Sequence, residues 1–432
     1  MTTVKQQPGV ELLAPAGNFE KLEMAIHFGA DAVYLGGKHF SLRGHCDNFA
    51  PDELEAAIAY CHRHGVKAYV TCNIYPRNED LAGIRKFLGN LAAIEPDAVI
   101  ISDPGVFTMA REVAPAVALH VSTQANTTSR AAADFWQTLG ADRINVAREL
   151  SLEEIAAICT HSRLPVEVFV HGAMCMAYSG RCLLSSFLAQ RDGNRGLCAQ
   201  PCRWQYALVE EKRPGRYMPV QETHQGSFVF HARDLCMIAH IPQLIEAGVQ
   251  ALKIEGRMKG IHYLASTVNA YREAIDAYYR NEGVPPSSRR DLGGELEAVN
   301  NRGYGTGFYF GPPDQETDPL APPPPGADFR LVGKVLGNID GAEVRLEVRN
   351  RFYPGDRVEI ISPGRPIVTD RIQSIRDDDG ALTEVARPGA FVSVRLSHAC
   401  RRWDLLRTVQ RHGQTADRGD DRNAIGDHQG CC

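Results

Sequence analysis

One phrase recurs through the first two-thirds of the chain: a short apolar run, an amphipathic stretch, then another apolar run, with a spacing of about 30 residues. Eight apolar runs carry it: "VELLAPAG", "DAVYLGG", "KAYVTCNI", "DAVIISD", "ALHVSTQAN", "DRINVAREL", "VEVFVHG" and "ALKIEGR". Helical stretches lie between them, such as "NFEKLEMAIHFG", the segment from about Pro51 to His64, and a long one from about Lys259 to Arg280. Continuous apolar strands alternating with amphipathic helices demand a parallel sheet covered by helices. Eight such units predict a closed (β/α)8 TIM-like barrel, an α/β fold. An open doubly wound sheet is the competing solution, but the first strand–helix turn, "APAGN", lacks the glycine fingerprint of a dinucleotide site.

A barrel places its chemistry at the C-terminal ends of its strands. The polar residues there are Asn73, Asp103, Gln124, Asn126, Arg148, Glu149, His171, Lys253, Glu255 and Arg257. For any one of them, a helix cap or a surface ion pair is the plainer role. "KIEGR" stands out because Lys253 and Glu255 share one strand face by alternation, and a lysine is costly to bury unpaired. A charged pair facing the mouth fits anion or carboxylate binding, with Lys253 and Arg257 as the contacts. His171, Lys253, Glu255 and Arg257 are the candidate catalytic residues.

The seventh strand is followed by an insertion, residues 172 to 232, where a βα loop normally has a few residues. It holds four of the twelve cysteines, Cys175, Cys182, Cys198 and Cys202, spaced Cys-x6-Cys-x15-Cys-x3-Cys. Three chemistries compete: disulfides, a metal or cluster site, and a nucleophilic thiol. The chain lacks a secretory leader pattern and any apolar run that spans a bilayer, so a cytoplasmic location is expected and disulfides are disfavoured there. Four thiolates complete a tetrahedral zinc site or an iron–sulfur cubane. The tight C-x2-C pair of zinc ribbons is missing, and the wide spacing suits a cluster. Gly180 and Gly196 allow close backbone approach and amide donation to sulfur. Cys236 is a fifth contender. A catalytic thiol needs a base, and His171 is the sequence neighbour of Cys175. Cys46, Cys61, Cys72 and Cys159 stand singly and read as small buried hydrophobes, and Cys431 and Cys432 end a polar tail.

The net charge is −5, so no global basic field draws nucleic acid, and RNA contact needs a local patch. Arg181, Arg191, Arg195 and Arg203 supply one, with Trp204 and Tyr206 beside them to stack on bases or to anchor the insertion. The barrel, residues 1–310, is followed by a Pro-rich linker, 311–328. Short β-like runs over 329–409 predict a small antiparallel barrel, and residues 410–432 read as a disordered tail.

The stretches "EVFVHGAMCMAYSGRCLLS", "NRGLCAQPCRW" and "KIEGRMK" resemble the collagenase-like proteins grouped as family thirty-two of the peptidases of unknown catalytic type. The likeness runs from "ELLAPAGNFEKLEMAIHFGADAVYLGG" through "HVSTQAN" and "RELSLEEI" into the C-terminal β-module. "CMAYSGRCLLS" and "CRWQY" look most like its tRNA-hydroxylating branch. That resemblance implies prephenate-dependent hydroxylation of the wobble uridine to 5-hydroxyuridine. It also implies a [4Fe-4S] cluster on Cys175, Cys182, Cys198 and Cys202, with Cys236 as the alternative fourth ligand and zinc as the alternative metal. The partners implied are tRNA, a small carboxylate co-substrate, and a further protein or second copy of the chain, without a membrane. A peptidase is the second reading, although neither HExxH nor G-x-S-x-G occurs. A cluster-bearing RNA-binding protein without catalysis is the third.

Overall fold

β-Branched and leucine-rich runs that bury both faces become the eight barrel strands of a computed structural model, which describes residues 9–44, 46–175, 177–179, 181–204, 208–209, 217–218, 222–223, 226–227, 233–280, 292–311, 329–340 and 343–409. The strands are β1 (Glu11–Pro15), β2 (Ala32–Gly36), β3 (Lys67–Cys72), β4 (Ala98–Ile101), β5 (Ala118–Val121), β6 (Arg143–Asn145), β7 (Val166–Gly172) and β8 (Ala251–Ile254). Each pairs in parallel with the next, and β8 pairs with both β7 and β1, which closes the barrel. The closed ring leaves no edge to protect. Opposite the step from Lys253 to Ile254, β7 carries one extra residue, Val170, between the partners Phe169 and His171. Such a bulge re-aims the side chains that follow it.

The helices start where the sequence supplies caps. Asn18 accepts from the Lys21 amide to open α1 (Phe19–His27). Pro51 opens α2 (Pro51–Arg63), and α3 follows (Leu81–Ile94). Asp103 accepts from the Val106 amide ahead of α4 (Pro104–Val113). Ser129 caps α5 (Arg130–Thr138), and Ser151 with Glu154 forms a capping box on α6 (Leu152–His161). α7 (Leu184–Ala189) lies in the insertion, followed by α8 (Ile241–Glu246), α9 (Ile261–Tyr279) and α10 (Leu292–Glu297).

The segment from Asp234 does not open as a helix. Asp234–Cys236 is a short strand that pairs antiparallel with the end of β7, Leu235 opposite Gly172 and Cys236 opposite His171. It also pairs in parallel with Tyr304–Gly305. The helix begins only near Pro242, which suits a first turn because it has no amide to donate.

A second unit, separated from the first between Pro325 and Gly326, is a seven-stranded antiparallel half-barrel. Its strands are β9 (Phe329–Asp340), β10 (Glu343–Val348), β11 (Arg357–Ile361), β12 (Val368–Arg371), β13 (Ser374–Arg376), β14 (Phe391–Arg395) and β15 (Leu405–Val409), in the order β12-β11-β15-β9-β10-β14-β13. Gly333 lets β9 press on β10, since a Cβ there would meet Leu346 at 2.5 Å. Val332, Leu346, Phe352, Ile360, Ile375, Val394 and Leu406 are among the buried residues of its own core. The expected linker beyond Gly311, the tail from Gln410, Gly180, Tyr206, Cys431 and Cys432 lie outside the described residues, as does the Arg203 side chain.

Candidate active site

Four charges converge at the barrel mouth. Glu255 follows β8 and is nearly buried, and its two oxygens are taken by two arginines: Arg43 Nη2 at 2.9 Å and Arg148 Nη2 at 3.6 Å. Burial alone would raise this carboxyl, but Arg43 and Arg148 overcome it and hold it down to about 2. Arg43 comes from the loop after β2 and stays about a third exposed. Arg148, past β6, lies with its guanidinium 3.6 Å from the Phe169 ring centroid and donates to the Ala173 carbonyl at 2.8 Å. Its Nε has no partner.

Arg257 is the third guanidinium, only 3% exposed. It donates to two neutral hydroxyls, Ser41 Oγ at 2.5 Å and Thr71 Oγ1 at 3.3 Å, and burial lowers its pKa. It packs so closely on Gly36 that a Cβ there would collide with its Nη1. All four charged groups act on the Tyr34 hydroxyl, which donates to the Ile254 carbonyl. Three guanidiniums against one carboxylate leave the mouth with an excess of positive charge.

Lys253 does not face this mouth as a partner of Glu255. The alternation argument put both on one face, but Lys253 lies deeper in the barrel, 2.8 Å from Glu167, with its ammonium over the Tyr34 and Phe169 rings. Glu167 also takes Arg143 at 3.4 Å and Asn145 at 2.7 Å, and Arg143 bonds Glu11 at 2.6 Å. This ion network fills the barrel floor, where Arg143 bridges the two carboxylates and the half-exposed Lys67 adds a further cation to Glu11 at 3.0 Å. Burial lowers the Lys253 pKa, against the pull of Glu167.

His171 is buried inside a ring of tyrosines. Its two nitrogens lie 3.4 Å from the hydroxyls of Tyr271 and Tyr304, and Tyr263 packs on its ring. Burial pushes its pKa down to about 3, so it is neutral. Its hydrogen-bond partners are these tyrosines, where the catalytic-thiol alternative would have it serve Cys175. Its carbonyl accepts the Glu255 amide at 2.8 Å, so it helps to place that carboxylate.

The other strand-end residues divide. Asn73 accepts the Leu42 amide and donates to Gln124, and Tyr75 and Asn126 both donate to the Gln124 carbonyl. Together they line the mouth. Asp103 is the helix cap described above. Glu149 is half-buried, and burial raises its carboxyl pKa.

The insertion is tied down on the mouth loops. Arg195 grips Asp80 with two bonds, at 2.6 and 3.0 Å, and the Gly196 carbonyl accepts the Gly44 amide. Gly196 has φ +92°, and a Cβ there would lie 2.7 Å from the Ser41 carbonyl. Asn126 reaches the Ser179 carbonyl. Arg181 is exposed, Arg191 bonds the Leu197 carbonyl, and Trp204 is partly exposed.

Among the described residues the four cysteines of the insertion are outside any disulfide: Cys175 is exposed, while Cys182, Cys198 and Cys202 are half-buried. Cys198 Sγ accepts the Gln200 amide at 3.3 Å, the kind of donation a thiolate ligand receives. Cys236 is nearly enclosed, 4.0 Å from the Tyr271 hydroxyl, with burial pushing its thiol up to about 11. Among the described residues, no three His, Cys, Asp or Glu side chains are gathered closely enough to hold a metal. The donor chemistry suits a soft metal or cluster, but the thiols as placed do not form a closed ligand set. Cys61 and Cys72 are buried with thiols pushed up to about 12, and Cys159 to about 11, as small core residues. Cys46 differs: its half-buried thiol lies near Arg257 and Arg43.

Arg43, Ser41 and Thr71 were not singled out from the sequence. For Ser41 and Arg43 the signal was the stretch between β2 and α2, residues 37–50, long for a βα loop, while Thr71 sits inside the apolar run of β3.

A parallel (β/α)8 barrel with a cationic mouth and a cysteine-bearing insertion tied to its mouth loops is what the first unit presents. The chain belongs to peptidase family U32: the family model matches residues 17–319, and the model of the family's C-terminal domain matches 327–407. It is 40% identical to "tRNA hydroxylation protein P1" of Bacillus subtilis, over 87% of this chain and 89% of that one. It is 36% identical to "tRNA hydroxylation protein P" of Escherichia coli, over 82% and 86%. It is equally 36% identical to "Uncharacterized protease MJ0090" of Methanocaldococcus jannaschii, over 92% and 97%. No helix among the described residues is long and apolar enough to cross a membrane.

Proposed function

We propose that this protein is a tRNA hydroxylase that converts the wobble uridine to 5-hydroxyuridine, using prephenate as a small carboxylate co-substrate. The carrying observation is the cationic mouth of Arg43, Arg148 and Arg257 under an Arg-bearing insertion, in a chain similar over most of its length to two tRNA hydroxylation proteins. The arginines bind and orient the carboxylate. Glu255 stays ionised and keeps Arg43 and Arg148 in place. Exposed Arg181 and Trp204 suit contact with the anticodon loop.

An iron–sulfur cluster on Cys175, Cys182, Cys198 and either Cys202 or Cys236 belongs to this proposal on donor chemistry alone. Gathering those thiols requires the insertion to rearrange. The names of the family and of the archaeal relative favour a peptidase as the second reading. Against it, the buried neutral His171 is poorly placed to activate Cys175.

The experiment is nucleoside mass spectrometry of tRNA from cells lacking this chain and any paralogue. Loss of 5-hydroxyuridine and its derivatives, restored by the wild-type chain, is expected. Unchanged tRNA in those cells refutes the function. Iron and sulfide assays on anaerobically purified protein test the cluster, and a preparation holding neither, or holding zinc instead, removes it.

A further inference from the structure

We propose that the second unit carries an RNA-binding surface of its own, built on two cross-strand arginine pairs, Arg357 with Arg371 and Arg351 with Arg387, around the exposed ring of Tyr353. The choice of RNA over other polyanions rests on the reading that the substrate is tRNA.

The unit is basic in an acidic chain. Residues 329–409 hold 14 Lys and Arg against 11 Asp and Glu, a balance of +3 where the whole chain has −5. Elsewhere its sheet sets opposite charges against each other across strands. Lys334 of β9 stands opposite Glu347 of β10, Glu343 of β10 opposite Arg395 of β14, and Glu359 of β11 opposite Arg407 of β15. Two places break this pattern. Arg357 of β11 stands directly opposite Arg371 of β12, and both are exposed. The bridge between the buried Phe352 and Ala386 sets Arg351 opposite Arg387 by antiparallel register, and both are again exposed. None of the four has a carboxylate within ion-pair distance among the described residues. Like charges directly opposite one another destabilise a sheet. A run of phosphates supplies the missing anions, and guanidinium forks bind phosphate oxygens bidentately. The turn Tyr353–Asp356 joins the two pairs. Arg371 Nη1 donates to the Gly355 carbonyl at 2.8 Å, which lays its guanidinium on that turn, and Tyr353 is 41% exposed. An exposed ring among guanidiniums offers a nucleic-acid base a stacking platform. A sulfated sugar polymer or an acidic peptide has no base to place there. The insertion supplies less than its composition promised, because Asp80 engages Arg195 and the Leu197 carbonyl engages Arg191.

The test is filter binding of a tRNA transcript with uridine at the wobble position to the intact protein, with heparin as a polyanion without bases. Salt is varied from about 50 to about 200 mM. The fourfold variant Arg351→Gln, Arg357→Gln, Arg371→Gln, Arg387→Gln is expected to bind tRNA at least about tenfold more weakly, with the slope of log K against log salt reduced by about 3. Tyr353→Ala is expected to weaken tRNA about tenfold, leaving heparin binding and the salt slope unchanged, and Tyr353→Phe to keep the affinity. Removing repulsion is expected to leave the thermal transition of the arginine variants at or above that of the wild type. Arg351 and Arg387 make no side-chain bond among the described residues. The variant changed at these two alone therefore decides the matter if loss of the Arg371–Gly355 bond loosens the fourfold variant. Unchanged tRNA affinity and slope in a folded variant overturns the proposal. So does an inert Tyr353→Ala in a protein whose arginine variants lose heparin as much as tRNA, which assigns the surface to a polyanion without bases. Weakened tRNA binding in the variants, with unchanged tRNA nucleosides in deletion cells, supports the surface while removing the hydroxylase. Loss of 5-hydroxyuridine in deletion cells, restored in full by a fourfold variant with wild-type tRNA affinity, keeps the hydroxylase and removes the surface.

Discussion

At the scale of single residues, the barrel separates two kinds of buried charge. Lys253 and Glu167 form a closed pair, with side chains 4% and 2% exposed, and Asn145 and Arg143 complete the carboxylate's bonds. Such a pair is weak evidence of stabilisation, but breaking it is expensive, because the partner left behind keeps its desolvation cost. Lys253→Met is therefore expected to destabilise the barrel by about 3 kcal/mol, and Lys253→Met combined with Glu167→Gln to recover at least about half of that. Urea unfolding of the two variants checks both numbers. A single variant costing less than about 1 kcal/mol would show that Glu167 finds full compensation in Arg143. The mouth arginines differ: Arg43 and Arg148 share the one carboxylate of Glu255, and Arg257 is held by the hydroxyls of Ser41 and Thr71.

At the scale of elements, the strands were readable because burial on both faces leaves an apolar run that periodicity detects. The segment from Asp234 was not. Its three-residue strand exists through pairing with β7 and Tyr304–Gly305, partners remote in sequence, and its local composition resembles a helix start. Arg43 was hidden for a related reason: a loop arginine is ordinarily solvated, and only the fold brings Glu255 to it from residue 255. Glu11, Arg143 and Glu167 sat at the starts of apolar strands, where an isolated charge reads as an exposed end. The cysteine insertion was legible as an insertion, and its attachment was not. That attachment is Arg195 on Asp80 and Gly196 against Ser41 and Gly44. Gly196→Ala puts a side chain at a positive φ and against a backbone carbonyl, a strain of at least about 1 kcal/mol that the loop escapes by lifting. Both Gly196→Ala and Arg195→Ala are expected to speed amide hydrogen exchange and proteolysis across residues 192–198 while leaving β1 to β8 protected. Unaltered exchange in both variants would mean that the segment is held elsewhere.

At the scale of the whole molecule, the chain consists of two units with separate cores, and the site is built from the first alone. The second unit has its own apolar core, led by Phe352, Leu346, Val394 and Leu406, and among the described residues its seven strands form one sheet. Its size lies in the range where one core stabilises a domain without disulfides or metals. The buried Arg407 is answered within the same unit by Glu359 at 2.8 Å and by the ring of Phe329. Asp404 is answered by Ser362 and by the Arg401 amide. A fragment spanning residues 327–409 is therefore expected to fold alone, with β-type circular dichroism and a single cooperative urea transition. Its slope should be about 1 kcal/mol per molar urea, as for other small domains. The intact chain should show the same transition, separable by calorimetry from that of the barrel. A fragment without a cooperative transition would mean that the β-unit takes its order from the barrel, and that an arginine or carboxylate of this core has a partner beyond it.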